Sequence, residues 1–196
     1  MHPITTTHLN MALYTTSVTH LDDYHHIQEV DFIDKEATIK AAIDEAKPLF
    51  VEAESRHSRL FSETGGVSYK GNVIPAALIG PRIQDLMDTV NTRFRTKYNS
   101  VIVAWYPTGE HYIDAHCDVG GIDLKEGIVT LSYGAPRTFR VQSKSLFGFP
   151  FDFETNHCMA LRMAGTTFQH IYVHELLKSD TQEERYSFSF RTHVEE

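Results

Sequence analysis

A change of hydrophobic period near Asn99 constrains the fold of this chain more than any other feature. Before Asn99, two segments place apolar residues at helical spacing. After it, short segments alternate apolar and polar residues, and no helical pattern separates one from the next. Parallel sheets need a crossover, usually a helix, between strands. The order therefore predicts a mainly β fold of the α+β type, an antiparallel sandwich or jelly roll with the helices packed on one sheet.

The two helical segments both lie in the first half of the chain, after a strand-like stretch at 27–32. The first has Asp34 as a candidate N-cap and ends near Pro48. The second has Pro81 in its first turn. Their apolar residues recur at spacings of three and four, which predicts one buried face on each helix. These residues are Ile39, Ala42, Ile43 and Ala46 in the first helix, and Ile83, Leu86, Met87, Val90 and Phe94 in the second.

Five segments after Asn99 have the alternation that is typical of half-buried strands. They are 100–106, 128–133, 138–141, 159–163 and 185–191. In the last of them the aromatic residues share one face, which predicts a core position for that face. The other face carries two arginines and two serines, Arg185, Ser187, Ser189 and Arg191. That face either meets solvent or lines a pocket in which the arginines clamp the ends of a short dicarboxylate.

Composition limits the size, location and partners of the protein. A chain of 196 residues is one domain of ordinary size. The net charge of −8 excludes a protein that grips nucleic acid with its whole surface, so any such binding needs a local basic patch. Two cysteines are too few for a zinc ribbon or a disulfide framework, and no signal peptide or membrane span is apparent. We expect an intracellular protein, cytoplasmic or nuclear and monomeric, with residues 1–20 as a loose arm.

The spacing of His116-Cys117-Asp118 predicts a metal site. On a strand, residues two apart project from the same face, so an imidazole and a carboxylate meet. Only this His-x-Asp lies between core strands with a later histidine available, such as His174. Two histidines and one carboxylate form the facial triad of non-haem Fe(II) oxygenases. A simple ion pair between His116 and Asp118 is the alternative interpretation.

Four segments, in this order, resemble the AlkB-type branch of the Fe(II)/2-oxoglutarate dioxygenases. They are Tyr98-Asn99 leading to 106–109, then 116–118, 131–139 and 185–191. Farther upstream, Tyr69-Lys70-Gly71 resembles the substrate lid of that family. The likeness extends from about Arg59 to Arg191. It implies a double-stranded β-helix, a jelly roll, in a single AlkB-like dioxygenase domain over residues 1–196.

The same resemblance implies an iron centre and a cofactor site. The iron ligands would be His116, Asp118 and His174, with His170 as a rival for the third position. Arg185 and Tyr106 would bind the distal carboxylate of 2-oxoglutarate, and Arg191 would lie near the carboxylate that chelates the iron.

Two positions depart from the family pattern at the cofactor site. Asparagines that the family often uses are replaced by Ala104 and Ser187. Both losses remove hydrogen bonds to 2-oxoglutarate, so we expect either a weaker affinity for 2-oxoglutarate or a replacement from other groups such as Asn99 or Ser189.

The resemblance also implies a substrate, with 2-oxoglutarate and dioxygen as co-substrates. The expected reaction is oxidative demethylation of N-alkylated nucleobases in DNA or RNA, with release of formaldehyde. A base must be single-stranded or flipped out to reach a buried iron. Tyr69 and Trp105 are candidates to stack on it. Two regions offer candidates to contact phosphates, namely Arg56, His57, Arg59 and Lys70 in one and Arg93, Arg95 and Lys97 in the other.

Two other functions are compatible with the sequence. A dioxygenase of a protein side chain or a small metabolite is favoured by the net charge of −8. It is also favoured by Val119-Gly120-Gly121, which stands where repair enzymes often place a further acid, unless Asp123 substitutes for it. The third interpretation is a jelly-roll binding module without catalytic activity.

Overall fold

The computed structural model describes residues 15–69, 72–145 and 148–194. These residues contain fourteen strands and three α-helices. The first half contains β1 (Thr15–His20), β2 (His26–Asp31), α1 (Glu36–Ala46), β3 (His57–Ser62), β4 (Gly66–Tyr69), β5 (Asn72–Pro75), β6 (Ala77–Leu78) and α2 (Pro81–Phe94). The second half contains β7 (Ser100–Tyr106), β8 (Ile113–His116), β9 (Ile128–Gly134), β10 (Thr138–Ser143), β11 (Phe151–Glu154), β12 (Met159–Ala164), α3 (Phe168–Ile171), β13 (Tyr172–Leu176) and β14 (Arg185–Arg191).

The strands form two principal sheets. The larger sheet has eight strands in the order β1-β2-β12-β9-β14-β7-β3-β6, and the smaller has four in the order β11-β10-β13-β8. All neighbours are antiparallel except β3 and β6. The remaining two strands, β4 and β5, form a separate hairpin. This arrangement confirms the predicted mainly β jelly roll. No helix among the described residues is long and apolar enough to cross a membrane.

The two long helices cover one face of the larger sheet, as the helical spacing predicts. The predicted apolar residues of α1 and α2 are all buried, and they share one core cluster with residues of β3, β7, β9, β12 and β14. The free N–H groups at the start of α2 bond to Glu45 of α1, whose carboxylate oxygens accept from Arg82 and Ile83 at 3.0 Å each. The helices therefore support the sheet that carries most of the cavity described below.

Two local expectations are wrong. Asp34 does not cap α1, because it lies in a 3₁₀ turn (Ile33–Lys35) before the helix and pairs with Arg93 at 2.9 Å. Thr15–His20 is not a loose arm, because it forms the edge strand β1 against β2. Threonine is compatible with a half-exposed strand as well as with a loop, so composition alone misled the prediction. Residues 1–14 lie outside the described residues.

Strand β14 is central to the larger sheet, where it pairs with β7 on one side and with β9 on the other. Its aromatic residues, Tyr186, Phe188 and Phe190, lie in the core beneath the helices. Its polar residues, Arg185, Ser187, Ser189 and Arg191, line a cavity between the two sheets. The alternation in the sequence therefore predicted both faces correctly, and the polar one is a pocket.

Candidate active site

Neighbouring strands of the smaller sheet bring two histidines together. His116 ends β8, and in the ladder it lies directly opposite His174 of β13. Directly opposed residues project from the same face of a sheet, so the two imidazole rings meet with centroids 4.3 Å apart. Asp118 follows two residues after the end of β8 and turns its carboxylate toward both rings.

The donor atoms of these three residues form a compact group. The distance from His116 Nε2 to Asp118 Oδ1 is 3.9 Å, and that from His174 Nε2 to Asp118 Oδ2 is 3.7 Å. His116 Nδ1 lies 2.8 Å from the Asp114 carbonyl oxygen. A proton donated there leaves Nε2 with a free lone pair for a metal. His170 is exposed on α3 and lies outside this group, so the candidate for the third donor is His174.

Burial and charge prepare the group for a divalent cation. Burial alone would raise the pKa of Asp118, but the positive charge of Arg191 and the nearby histidines outweigh it and hold the pKa at about 2. Burial lowers the pKa of His174 to about 3, so its imidazole is neutral at physiological pH. Asp118 Oδ2 is buried and accepts no hydrogen bond from any described residue. An ionised carboxylate with an unused lone pair beside the two imidazole rings fits Fe(II).

A cavity of about 360 Å³ extends from this group between the two sheets. Its size is within the usual range for small-molecule sites. The larger sheet contributes the polar face of β14, together with Thr130, Ile102, Ala104 and Tyr106. The smaller sheet contributes the apolar side chains of Ile113, Phe139 and Leu176 beside the two histidines. One wall is therefore polar and the other largely apolar.

Arg185 is a buried cation without an anionic partner among the described residues. It is 1% exposed, and it donates to Ser132 Oγ at 2.8 Å and to Thr155 Oγ1 at 3.3 Å. Its guanidinium carbon lies 5.1 Å from the centre of the Tyr106 ring, and burial lowers its pKa to about 10. An unpaired buried charge is costly, so this position suits a carboxylate brought in by a ligand.

Arg191, at the other end of β14, already has a partner. It donates to Asp118 Oδ1 at 2.9 Å, and both side chains are largely buried. Arg191 therefore holds the carboxylate of the candidate donor group. The polar face of β14 thus supplies one arginine without an anionic partner among the described residues and one that orients the Asp118 carboxylate.

Comparison with known proteins agrees with this geometry. The family model of the 2OG-Fe(II) oxygenase superfamily matches residues 23–191, which include the whole cavity. This chain belongs to that superfamily. The solved structure of OsALKBH1 is similar to this oxygenase in fold, with a TM-score of 0.60 and 12% identity over 89% of this chain and 100% of that one. None of the curated proteins compared with the oxygenase matches it significantly by sequence.

Membership of the superfamily fixes the class of chemistry. The oxygenase is a dioxygenase that depends on Fe(II) and 2-oxoglutarate, and its fold is similar to that of OsALKBH1. The His116, Asp118 and His174 group is the one cluster of this kind that the described residues contain. The resemblance seen in the sequence is therefore confirmed at the level of superfamily, fold and cofactors.

Three residues predicted to bind cofactor or substrate do not face the cavity of this oxygenase. The Asn99 amide bonds to the backbone of His193 at 2.8 and 2.9 Å, so it is not free for 2-oxoglutarate. Trp105 packs on the helix-covered face and donates to Glu184 at 2.9 Å. Arg59 lies opposite the core residue Val103, on that same face. Strand alternation turns Trp105 and Arg59 away from the iron site.

The structure describes only part of the segment that resembles the substrate lid. Tyr69 ends β4 of the hairpin, and its side chain and Lys70 lie outside the described residues.

Two residues were proposed as substitutes for missing family residues. Ser189, proposed for a hydrogen bond to 2-oxoglutarate, lines the cavity. Asp123, proposed as the further acid, caps a 3₁₀ turn (Leu124–Glu126) by accepting from the Lys125 N–H. Asp123 is thus committed to local structure.

Several residues around the site went unnoticed in the sequence. Asp114 and Ser132 could have been predicted, because strand residues two apart project from the same face. Asp114 lies two residues from His116, and Ser132 lies two residues from Thr130. Thr155, which bonds to Arg185, and Gln169, which contacts the loop of Asp118, could not have been predicted. They come from a loop and a short helix whose placement depends on the tertiary fold.

His193, just beyond β14, predicts a dependence of stability on pH. Its Nδ1 lies 2.5 Å from Ser100 Oγ, and burial together with the charge of Arg191 lowers its pKa to about 4. The unfolded chain, with a histidine pKa near ~6.5, binds more protons between these two values. Stability is therefore present at neutral pH and is lost as the pH falls through this window, by at most about 3 kcal/mol.

The measurement is urea unfolding between pH 7 and pH 5. We expect the midpoint of the wild type to fall more steeply with acidification than that of His193→Asn, which keeps a polar group near Ser100 but does not titrate. Parallel profiles for the two proteins would show that His193 does not contribute.

Proposed function

We propose that this oxygenase oxidatively demethylates N-alkylated nucleobases in DNA or RNA, acting as a single domain over residues 1–196. In this proposal His116, Asp118 and His174 hold Fe(II), and Arg185 and Tyr106 bind the distal carboxylate of 2-oxoglutarate. The observation that carries the choice of substrate is a pair of opposite charges, Arg56 and Asp114, that line the cavity together with the metal ligands.

The bound iron, with 2-oxoglutarate and dioxygen, supplies the oxidation of a C–H bond. The chain itself binds, orients and excludes water. Arg185, already held by two hydroxyl groups, positions the oxoacid through charge-assisted hydrogen bonds. Arg191 fixes the carboxylate of Asp118. The apolar wall that contains Phe139 keeps water from the reacting centre.

Asp114 and Arg56 suit the two charges of an N-alkylated nucleotide. Asp114 lies on the same face of β8 as His116 and is exposed, so its negative charge can attract a cationic alkylated base close to the iron site. Arg56 lines the same cavity and its side chain forms no ion pair or hydrogen bond with any described residue, which leaves it free for a phosphate. A base and a phosphate of one nucleotide carry both of these charges.

A second candidate function is demethylation of a protein side chain or a small metabolite. It is favoured by the orientation of Trp105 and Arg59, which removes one predicted stacking partner and one predicted phosphate contact from the substrate side. A methylated ammonium group that carries a nearby carboxylate would also fit between Asp114 and Arg56.

The test is a turnover assay with Fe(II), 2-oxoglutarate and ascorbate. The substrates are single-stranded DNA and RNA oligonucleotides that contain 1-methyladenine or 3-methylcytosine, and a peptide that contains trimethyllysine. We expect formaldehyde and succinate in equal amounts from an oligonucleotide, with a rate that falls as salt rises. Turnover of the peptide alone would support the second candidate. Succinate without formaldehyde from any of them would contradict both.

Arg56 provides a sharper prediction, because Arg59 on the adjacent strand is a matched control. We expect Arg56→Gln to raise KM for the methylated oligonucleotide about tenfold, since one charge-assisted contact contributes about 1.5–3 kcal/mol. The value of kcat should stay within about twofold of the wild type. The slope of log KM against log salt concentration should fall by about 1, because one phosphate contact is lost. Arg59→Gln, which removes the same charge from the opposite face, should leave KM unchanged. Equal effects of the two variants would assign the loss to overall charge.

A further inference from the structure

The carboxylate ligand of the proposed metal site lies outside the sheet that carries the two histidines. The ladder between β8 and β13 ends at the pair His116 and His174, and Asp118 comes two residues later. The chain then passes through Gly120 and Gly121, with φ values of 97° and 64° that favour glycine. No strand pairing therefore fixes the backbone of Asp118, and another contact has to do so.

Gln169 makes that contact. Its side chain is 1% exposed, and its Oε1 accepts the backbone N–H of Asp118 at 2.9 Å. Its Nε2 points the other way and donates to Met163 Sδ at 3.6 Å. Burying an amide is unfavourable unless it is hydrogen-bonded. The Gln169 amide is thus oriented by a weak hydrogen bond to Met163 on one side and by the Asp118 N–H on the other. Asp118 belongs to the loop that follows β8, which we call the ligand loop.

Lys144 joins the same two segments. Its Nζ donates to the Gln169 carbonyl oxygen at 2.9 Å and to Cys117 Sγ at 3.3 Å. The last residue of β10 is Ser143, so Lys144 is attached directly to the smaller sheet. It connects this sheet to α3 and to the residue that precedes Asp118. Gln169 and Lys144 together hold the ligand loop at two consecutive positions.

The short helix that carries Gln169 is itself held at both ends. Thr167 Oγ1, just before α3, lies 2.7 Å from His25 Nε2, and the Tyr172 hydroxyl after it donates to Asp22 Oδ2 at 2.7 Å. Asp22 also lies 2.8 Å from His25 Nδ1, which closes the network. A helix of one turn has little stability of its own. These contacts give Gln169 a fixed base.

We propose that Gln169 is a positioning residue for the metal ligand Asp118, with Lys144 as its support. Gln169 fixes the backbone of Asp118 while Arg191 fixes its carboxylate, so the ligand is oriented from both ends before the metal binds. Loss of the Gln169 acceptor frees the loop and weakens metal binding. The proposal rests on the metal ligands assigned under the proposed function.

The test measures metal affinity rather than turnover. The probe is Mn(II), titrated in the presence of 2-oxoglutarate and followed by the loss of the free-ion EPR signal. Gln169→Met keeps the length of the side chain and removes the acceptor, and we expect it to raise Kd for Mn(II) about tenfold or more, as for other groups that orient metal ligands. Gln169→Glu keeps an oxygen acceptor and should stay within about threefold of the wild type. Gln142→Met, an exposed glutamine of β10, should not change Kd.

The outcomes separate a positioning role from a structural one. If Gln169→Met lowers the urea midpoint but leaves Kd unchanged, or if Gln169→Glu weakens binding as much as Gln169→Met, the proposal is overturned. If Gln169→Met does not fold, Lys144→Met decides, because it removes only the support. A severalfold rise in Kd there supports the proposal, and an unchanged Kd overturns it. If the wild type binds no Mn(II), the assigned ligand set fails, and the proposed function fails with it.

Discussion

Replacing His174 with alanine is expected to abolish metal binding and to lower succinate production more than ~100-fold. Residues that only orient metal ligands already contribute factors of about 10–100, and a ligand contributes more. His174 is also 5% exposed, so solvent is poorly placed to take over its position. Two of the three donors cannot hold Fe(II) at the concentrations that suffice for the wild type.

The control for this variant is four residues away. His170→Ala removes the same side chain from the exposed surface of α3, outside the donor group. The measurement is an anaerobic titration with Fe(II) and 2-oxoglutarate, in which a catalytic site develops a visible charge-transfer band. We expect the band in the wild type and in His170→Ala but not in His174→Ala. A band that survives in His174→Ala, or disappears in His170→Ala, would refute the assigned ligand set.

Replacing Arg185 with methionine should raise KM for 2-oxoglutarate more than ~100-fold without destabilising the protein in the absence of that ligand. Removing one partner of a buried ion pair costs about 3–5 kcal/mol of binding. In the free protein, however, the partners of Arg185 among the described residues are only the hydroxyl groups of Ser132 and Thr155 and the ring of Tyr106. Methionine fills a similar space and needs no hydrogen bonds.

Arg137 gives the contrasting case. It is as buried as Arg185, but it donates to the carbonyl oxygens of Gly109, His111 and Leu177, so its partners belong to the fold. Arg137→Met should lower the Tm of the ligand-free protein, and Arg185→Met should not. The two measurements are the Tm without ligand and the rise in Tm on adding 2-oxoglutarate with Mn(II). If Arg185→Met keeps that rise, the distal carboxylate binds elsewhere.

Local alternation was sufficient to predict the strands of the larger sheet that line the cavity, but it did not predict β8 and β13 of the smaller sheet. The segments Ser100–Tyr106 and Arg185–Arg191 have the predicted bounds, because both lie in the middle of the larger sheet, where one face must be apolar. The same period explains the error over Trp105. Tyr106 and Trp105 are adjacent in β7, so they cannot both face the oxoacid cavity. Applied consistently, alternation would have corrected the prediction.

Other parts of the site could not be predicted from local pattern. Arg59 lies in β3, whose pairing with β7 sets its orientation, and no alternation in the sequence marks that strand. Gln169 lies on a one-turn helix, and it meets Asp118 across 51 residues of chain. Such contacts follow from how distant segments pack. The family resemblance predicted the three residues of the candidate metal site but not the groups that hold them in place.

The short pairing between β8 and β13 has a consequence for the lifetime of the protein. Strand β8 is the outermost of its sheet, and its two paired positions are His174 with His116 and Leu176 with Ile113. A metal ion bound by His116 and His174 would link β8 to β13 where their pairing is short. Its binding free energy would add to the stability of the folded protein. Without iron, the pairing of β8 with β13 would open before the rest of the fold, and the loop that follows β8 would become accessible to proteases. The amount of the protein, as well as its activity, would then depend on the iron concentration.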